Sequence, residues 1–189
     1  MAKKKPTPKK KPAAKATKAT KAAKPKNPAA KPRPTADASA DLAARGFFRG
    51  EYHWEADRDV PALDARVRLS VDHDNDVVTP EQAKAVELLL ESGTPLRPLA
   101  VRAAYELMLK WVEGFRQRHP EFRGKPIGEK PFTRGCELKS VLFPAPAPAE
   151  SKHAPRFVLT LFWPDDTRPC EVRFEWVKGA WVVTNCERT

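Results

Sequence analysis

Residues 1–36 contain twelve lysines and Arg33, with no acidic side chain, no aromatic one and almost no large aliphatic one. A segment of that kind cannot bury enough apolar surface to offset the entropy of ordering its backbone. It is expected to be disordered, and whatever core the chain builds must come from the other 153 residues. Seven of the chain's twenty prolines lie in it, each fixing its own φ and disfavouring helix in the residue before it, which favours extended conformations. At about 3.1 Å per residue such an arm reaches on the order of 110 Å when fully stretched.

The charge follows the same division. The whole chain is +11, but residues 1–36 carry +13, which leaves −2 on the remainder. The high isoelectric point therefore describes a basic arm on a nearly neutral domain, not a basic domain. The candidate nucleic-acid-binding residues are Lys3, Lys4, Lys5, Lys9, Lys10, Lys11, Lys15, Lys18, Lys21, Lys24, Lys26, Lys31 and Arg33. Each lysine that neutralises a phosphate releases condensed counterions, so full engagement of duplex DNA gives a slope of log K against log salt near −12 at most, an upper bound of about 0.9 per charge. The arm lacks the scaffold and the Arg/Asn/Gln set that direct readout of bases requires. Charge alone would suit RNA, an acidic membrane face or plain solubility as well.

Lys15, Lys18, Lys21 and Lys24 recur at every third position. This repeat and the AKATKATKAAKPK stretch resemble the tails of linker histones and of bacterial histone H1-like proteins, and the resemblance implies sequence-independent binding to nucleic-acid phosphates. KKKPTPKKKP would also serve as a nuclear localisation signal in a eukaryote. No apolar run approaches the roughly 18–20 residues that span a bilayer, and the N-terminus lacks the apolar core of a secretory signal. Three cysteines, Cys136, Cys170 and Cys186, make no complete disulfide framework and no CxxC spacing, and read as reduced, structural thiols. The expected compartment is the cytoplasm, at the nucleoid if the arm engages DNA, or the nucleus in a eukaryote.

Residues 37–46 read as a linker or short helix before a single domain over 47–189. Strands are expected at 47–58 and 64–72, where Val67, Leu69 and Val71 alternate with Arg66, Arg68 and Ser70. Thr79-Pro80-Glu81-Gln82 combines an N-cap, a proline at the first helical position and a capping-box glutamine. A helix should run from Pro80 through Ala83, Val86, Leu89 and Leu90 to about Ser92-Gly93. A longer one is expected over 96–118, its apolar face made of Leu96, Ala100, Ala103, Leu107, Trp111 and Phe115. Strands near 137–143, 156–163, 170–177 and 180–186 follow, the last two joined at Lys178-Gly179 as a hairpin. The proline-rich stretch 144–155 should be an exposed loop. The order β-β-α-α-β-β-β-β predicts an α+β domain, an antiparallel sheet of about five or six strands with two helices on one face.

Candidate chemistry is sparse. Asp72-His73-Asp74-Asn75-Asp76 opens like a calcium loop, but an EF-hand beginning at Asp72 needs Gly and Glu where Val77 and Ala83 stand. His53, Asp72 and His73 would approach if the first two strands pair. Trp163-Pro164-Asp165-Asp166 and Trp176 to Trp181 put aromatic and acidic groups at strand ends, as core or as a partner surface. GxGxxG, GxxxxGK[ST], GxSxG and HExxH are all absent. The expectation is a non-enzymatic binding protein, with no catalytic residues, metal or cofactor. The strand-strand-TPEQ-helix-helix-strands order and the CEVRFEWVKGAWVV ending resemble small bacterial α+β domains found among immunity proteins of toxin systems. That resemblance implies a domain that binds and sequesters a protein partner, with the arm incidental.

Overall fold

The computed structural model describes residues 37–73, 77–146, 154–164 and 166–189. The chain enters with α1 (Ser39–Ala44), then forms β1 (Phe48–Arg49), β2 (His53–Val60), a 3-10 turn (Pro61–Leu63) and β3 (Ala65–Asp72). Three helices follow, α2 (Pro80–Leu90), α3 (Arg97–Arg118) and α4 (Glu129–Gly135), and then β4 (Glu137–Phe143), β5 (Arg156–Phe162), β6 (Pro169–Val177) and β7 (Ala180–Arg188). The seven strands form one sheet in chain order. The class is α+β, as the element order suggests, with a mostly antiparallel sheet.

Its details differ from the expected five or six antiparallel strands under two helices. The strand expected over 47–58 is broken by a tight turn, in which Gly50 donates its N–H to the His53 carbonyl at 2.7 Å and β1 folds back on β2. Strands β3 and β4 run parallel, Arg68 to Val71 alongside Ser140 to Phe143. A parallel neighbour needs a crossover, and here it is the three-helix stretch between Asp72 and Glu137. Helix α4 falls in the Pro/Gly-rich passage where no helix is expected; its Pro131 occupies the first turn, where a missing N–H costs nothing.

One face of the sheet is the core. Val67, Leu69, Val71, Val141, Phe143, Phe157, Leu159, Leu161, Val172 and Phe174 are buried together with Ala85, Val86 and Leu89 of α2, Ala100, Val101, Ala104 and Met108 of α3, and Phe132 of α4. The opposite face carries Arg66, Arg68, Ser70, Glu171 and Arg173 and is wet, the alternation expected of a one-sided sheet. The inward stripe of α3 lies beside the expected one: Ala104 and Met108 are buried, while Trp111 is 39% exposed.

The fold's most connected polar residue is Gln82, 5% exposed. Its Oε1 accepts the Thr79 N–H at 3.0 Å while its own N–H donates to Thr79 Oγ1 at 3.2 Å, the reciprocal capping box. Its Nε2 donates to the carbonyls of Asp72 at 2.7 Å and Phe143 at 3.1 Å, the last residues of β3 and β4. One amide thus caps α2 and ties together the ends of the two parallel strands. Thr79→Ala removes one half of the cap and should cost about 1 kcal/mol. Gln82→Ala also takes the shared donor from the buried Phe143 carbonyl and the part-buried Asp72 carbonyl and should cost roughly 2–4 kcal/mol. Urea denaturation midpoints check the ranking; an equal loss in the two variants would show that the strand clamp contributes nothing.

Candidate functional site

The thirteen cationic residues from Lys3 to Arg33 lie outside the described residues. The described chain begins at Asp37, and that root is tied down. Asp37 Oδ1 accepts the Ser39 N–H at 3.0 Å, the Ser39 hydroxyl at 2.5 Å and the Val78 N–H at 3.4 Å, and Ala38 N–H donates to the Val78 carbonyl at 2.9 Å. Those bonds to Ser39 hold the Asp37 carboxyl below the ordinary carboxylate range. Leu42 of α1 is fully buried. Asp37 thus lies beside the start of α2, next to an open groove of about 510 Å³ lined by Asp37, Asp41, Arg45, Lys84 and Glu87 among others.

The first two long strands do pair, and they bring His53 opposite Asp72 with Nε2 and Oδ1 2.9 Å apart. His53, Asp72 and His73 do not form a group that could hold a metal ion. Among the described residues no three His, Cys, Asp or Glu side chains are grouped to hold a metal ion, and Asp74, Asn75 and Asp76 lie outside them. What remains is one half-exposed His–Asp pair on the wet side of the sheet.

Sequence reasoning missed the most unusual polar arrangement, on the helix-covered side. Arg188 ends β7 with its side chain only 11% exposed. Its guanidinium lies over the Trp163 ring at 4.6 Å and over the Trp111 ring at 4.8 Å, and Nη2 pairs with Asp166 Oδ2. From Trp111 the stacking continues along α3 to Phe115 (5.5 Å) and on to His119 (4.4 Å). A run of planar groups thus leads from buried Trp163 to the exposed end of α3. The WPDD segment does supply both an aromatic and an acidic group, but Trp163 and Asp166 are spent on an internal arginine.

Cys170 and Cys186 lie next to Arg188. Cys170 is directly opposite Arg188 in the ladder, and the two sulfurs are 3.5 Å apart. Cys186 donating to Cys170 holds the Cys170 thiol below its ordinary range against the opposing effect of burial, with Trp163 and Arg188 adding in the same direction; the same hydrogen bond and burial push Cys186 up. Burial, with the neighbouring Cys170 adding to it and Arg97 opposing, carries Cys136 up to about 12. The juxtaposition depends on a bulge. From Val177↔Ala180 to Phe174↔Val183 the hairpin follows its two-residue turn, but Arg173 pairs with Asn185, so Thr184 is an extra residue. Without it Cys186 would pair with Glu171 and point to the wet face, which is why alternation counted from the turn does not find the pair.

No family model, no curated protein and no solved structure matches this chain.

Arg188 holds the last strand to α3 through shape as much as charge. Arg188→Ala should destabilise the domain by roughly 2–3 kcal/mol, because it leaves Asp166 without its cation and opens a gap between two indoles. Arg188→Lys should recover only part, since an ammonium cannot stack as a plane. Guanidinium denaturation followed by tryptophan fluorescence reads both; full recovery by lysine would reduce the site to a simple ion pair.

Proposed function

We propose that this protein is a non-enzymatic, nucleic-acid-anchored binding protein: residues 1–36 attach to phosphate backbones without reading sequence, and the folded domain binds a second partner. The observation that carries the reading is the partition of charge, +13 on the first 36 residues and −2 on the rest. Phosphate neutralisation needs density of positive charge and tolerates any backbone geometry. The domain has the opposite bias, so attachment to a polyanion falls to the basic segment. Exposed Phe48, Tyr52, Trp111 and Phe122 are of the residue types enriched at protein interfaces, which supports a protein as the domain's partner.

A salt titration of duplex DNA binding, read by fluorescence anisotropy, tests the assignment by comparing the full chain with a chain beginning at Asp37. The full chain should bind with a steep slope, up to about −12 in log K against log salt. The shortened chain should lose that binding yet melt at the same temperature as the intact domain. Comparable DNA affinity in both chains would overturn the reading.

A further inference from the structure

The sulfurs of Cys170 and Cys186 stand 3.5 Å apart, uncrosslinked, on neighbouring strands of one hairpin. A disulfide needs about 2.05 Å, so closure requires the sulfurs to approach by about 1.5 Å across the diagonal of the ladder, where Cys170 is opposite Arg188 and Cys186 opposite Val172. We propose that Cys170 and Cys186 form a dithiol modification site, oxidised to an intramolecular disulfide by a low-molecular-weight disulfide of the glutathione type.

Access and reactivity are divided between the two thiols. Cys186 is half-buried and meets the reagent first, whereas Cys170 is fully buried against it. On losing its proton to solvent, the more accessible Cys186 sulfur attacks one sulfur of the small disulfide, expelling one small thiolate and leaving a mixed disulfide on Cys186; the hydrogen bond to Cys170 and burial, which push this thiol up, make this the slow step. The Cys170 thiolate then attacks the Cys186 sulfur. The protein S–S bond forms, the mixed bond breaks and the second small thiolate leaves. Two electrons pass from the protein pair to the small disulfide, and the two thiol protons end on the departing thiolates by way of solvent. Arg188 and the Trp163 indole beside Cys170 favour the thiolate that the second step needs, and they keep doing so after Cys186 has lost its S–H. Cys136 is buried where Cys186 is half-exposed, so the reagent meets Cys186 first and Cys136 does not compete.

The bond would close the hairpin on the far side of the Thr184 bulge and pin the shifted register of β7, an edge strand. The register without the bulge puts the two thiols on opposite faces and cannot form it.

The test uses the native full-length chain. It is equilibrated in mixtures of oxidised and reduced glutathione, quenched with acid, alkylated with N-ethylmaleimide in denaturant and weighed intact. The expected product has lost two hydrogens and carries one alkylated thiol. Proteolysis should recover a peptide joining Cys170 to Cys186, and Cys136→Ser should form the same bond. Hydrogen exchange in β7 should slow on oxidation. Three alkylated thiols in the most oxidising mixture, a lasting glutathione adduct, or a crosslink through Cys136 would each overturn the proposal.

Discussion

The buried amide of Gln82 is the interaction on which the rest of the domain's layout rests. A sheet that runs through six adjacent pairings in chain order still has to pass from β3 to β4 through three helices and arrive pointing the same way. Parallel neighbours leave two carbonyl ends side by side at the same edge of the sheet, and buried carbonyls there need donors. Gln82 supplies both from one Nε2 while its Oε1 closes the cap of α2. The helix that begins the crossover is thereby fixed to the two strands the crossover joins. Polar groups inside a core are costly unless each is satisfied; here the amide is bonded at both ends, and that makes it specific.

At the other end of the sheet a single extra residue has a comparable reach. Thr184 shifts the last four residues of β7 by one position relative to β6, which exchanges the faces on which they stand. Asn185 and Glu187 go to the wet side, where Glu187 meets Arg173, and Cys186 and Arg188 go under α3. The guanidinium there pairs with Asp166 through Nη2 and lies over two indole faces, while its Nε and Nη1 are buried without a hydrogen-bond partner. The dithiol and the arginine clamp are thus two consequences of one bulge.

How much of this the sequence disclosed depends on the range of the interaction. Local signals were sufficient for α2, whose TPEQ start is its cap, and for the hairpin expected from strands 170–177 and 180–186, where Lys178 and Gly179 adopt the positive φ values of 51° and 87° that a two-residue turn requires. Alternation placed Val67, Leu69 and Val71 on the buried face correctly. The failures are all non-local or positional. The parallel pairing of β3 and β4 is decided by how three helices pack, and periodicity within a strand carries no trace of it. Helix α4 carries no such local signal: it lies at the end of a stretch rich in Pro and Gly, and its Pro131 is compatible with helix only because it falls in the first turn. In α3, Trp111 was assigned to the core by spacing alone, yet Arg188, 77 positions away in the chain, provides the surface it stacks on.

The basic segment and the domain follow different physics, and that difference bears on how the proposed activities relate. Contacts between lysines and phosphates are screened over about 8 Å at physiological ionic strength, and they act through the number of charges more than through their arrangement. The thiol pair sits on the helix-covered face, under contacts that salt hardly weakens, and its chemistry depends on tenths of an ångström and on one register. Raising salt should therefore remove nucleic-acid attachment without altering thiol oxidation, and oxidising the pair should leave the salt slope unchanged.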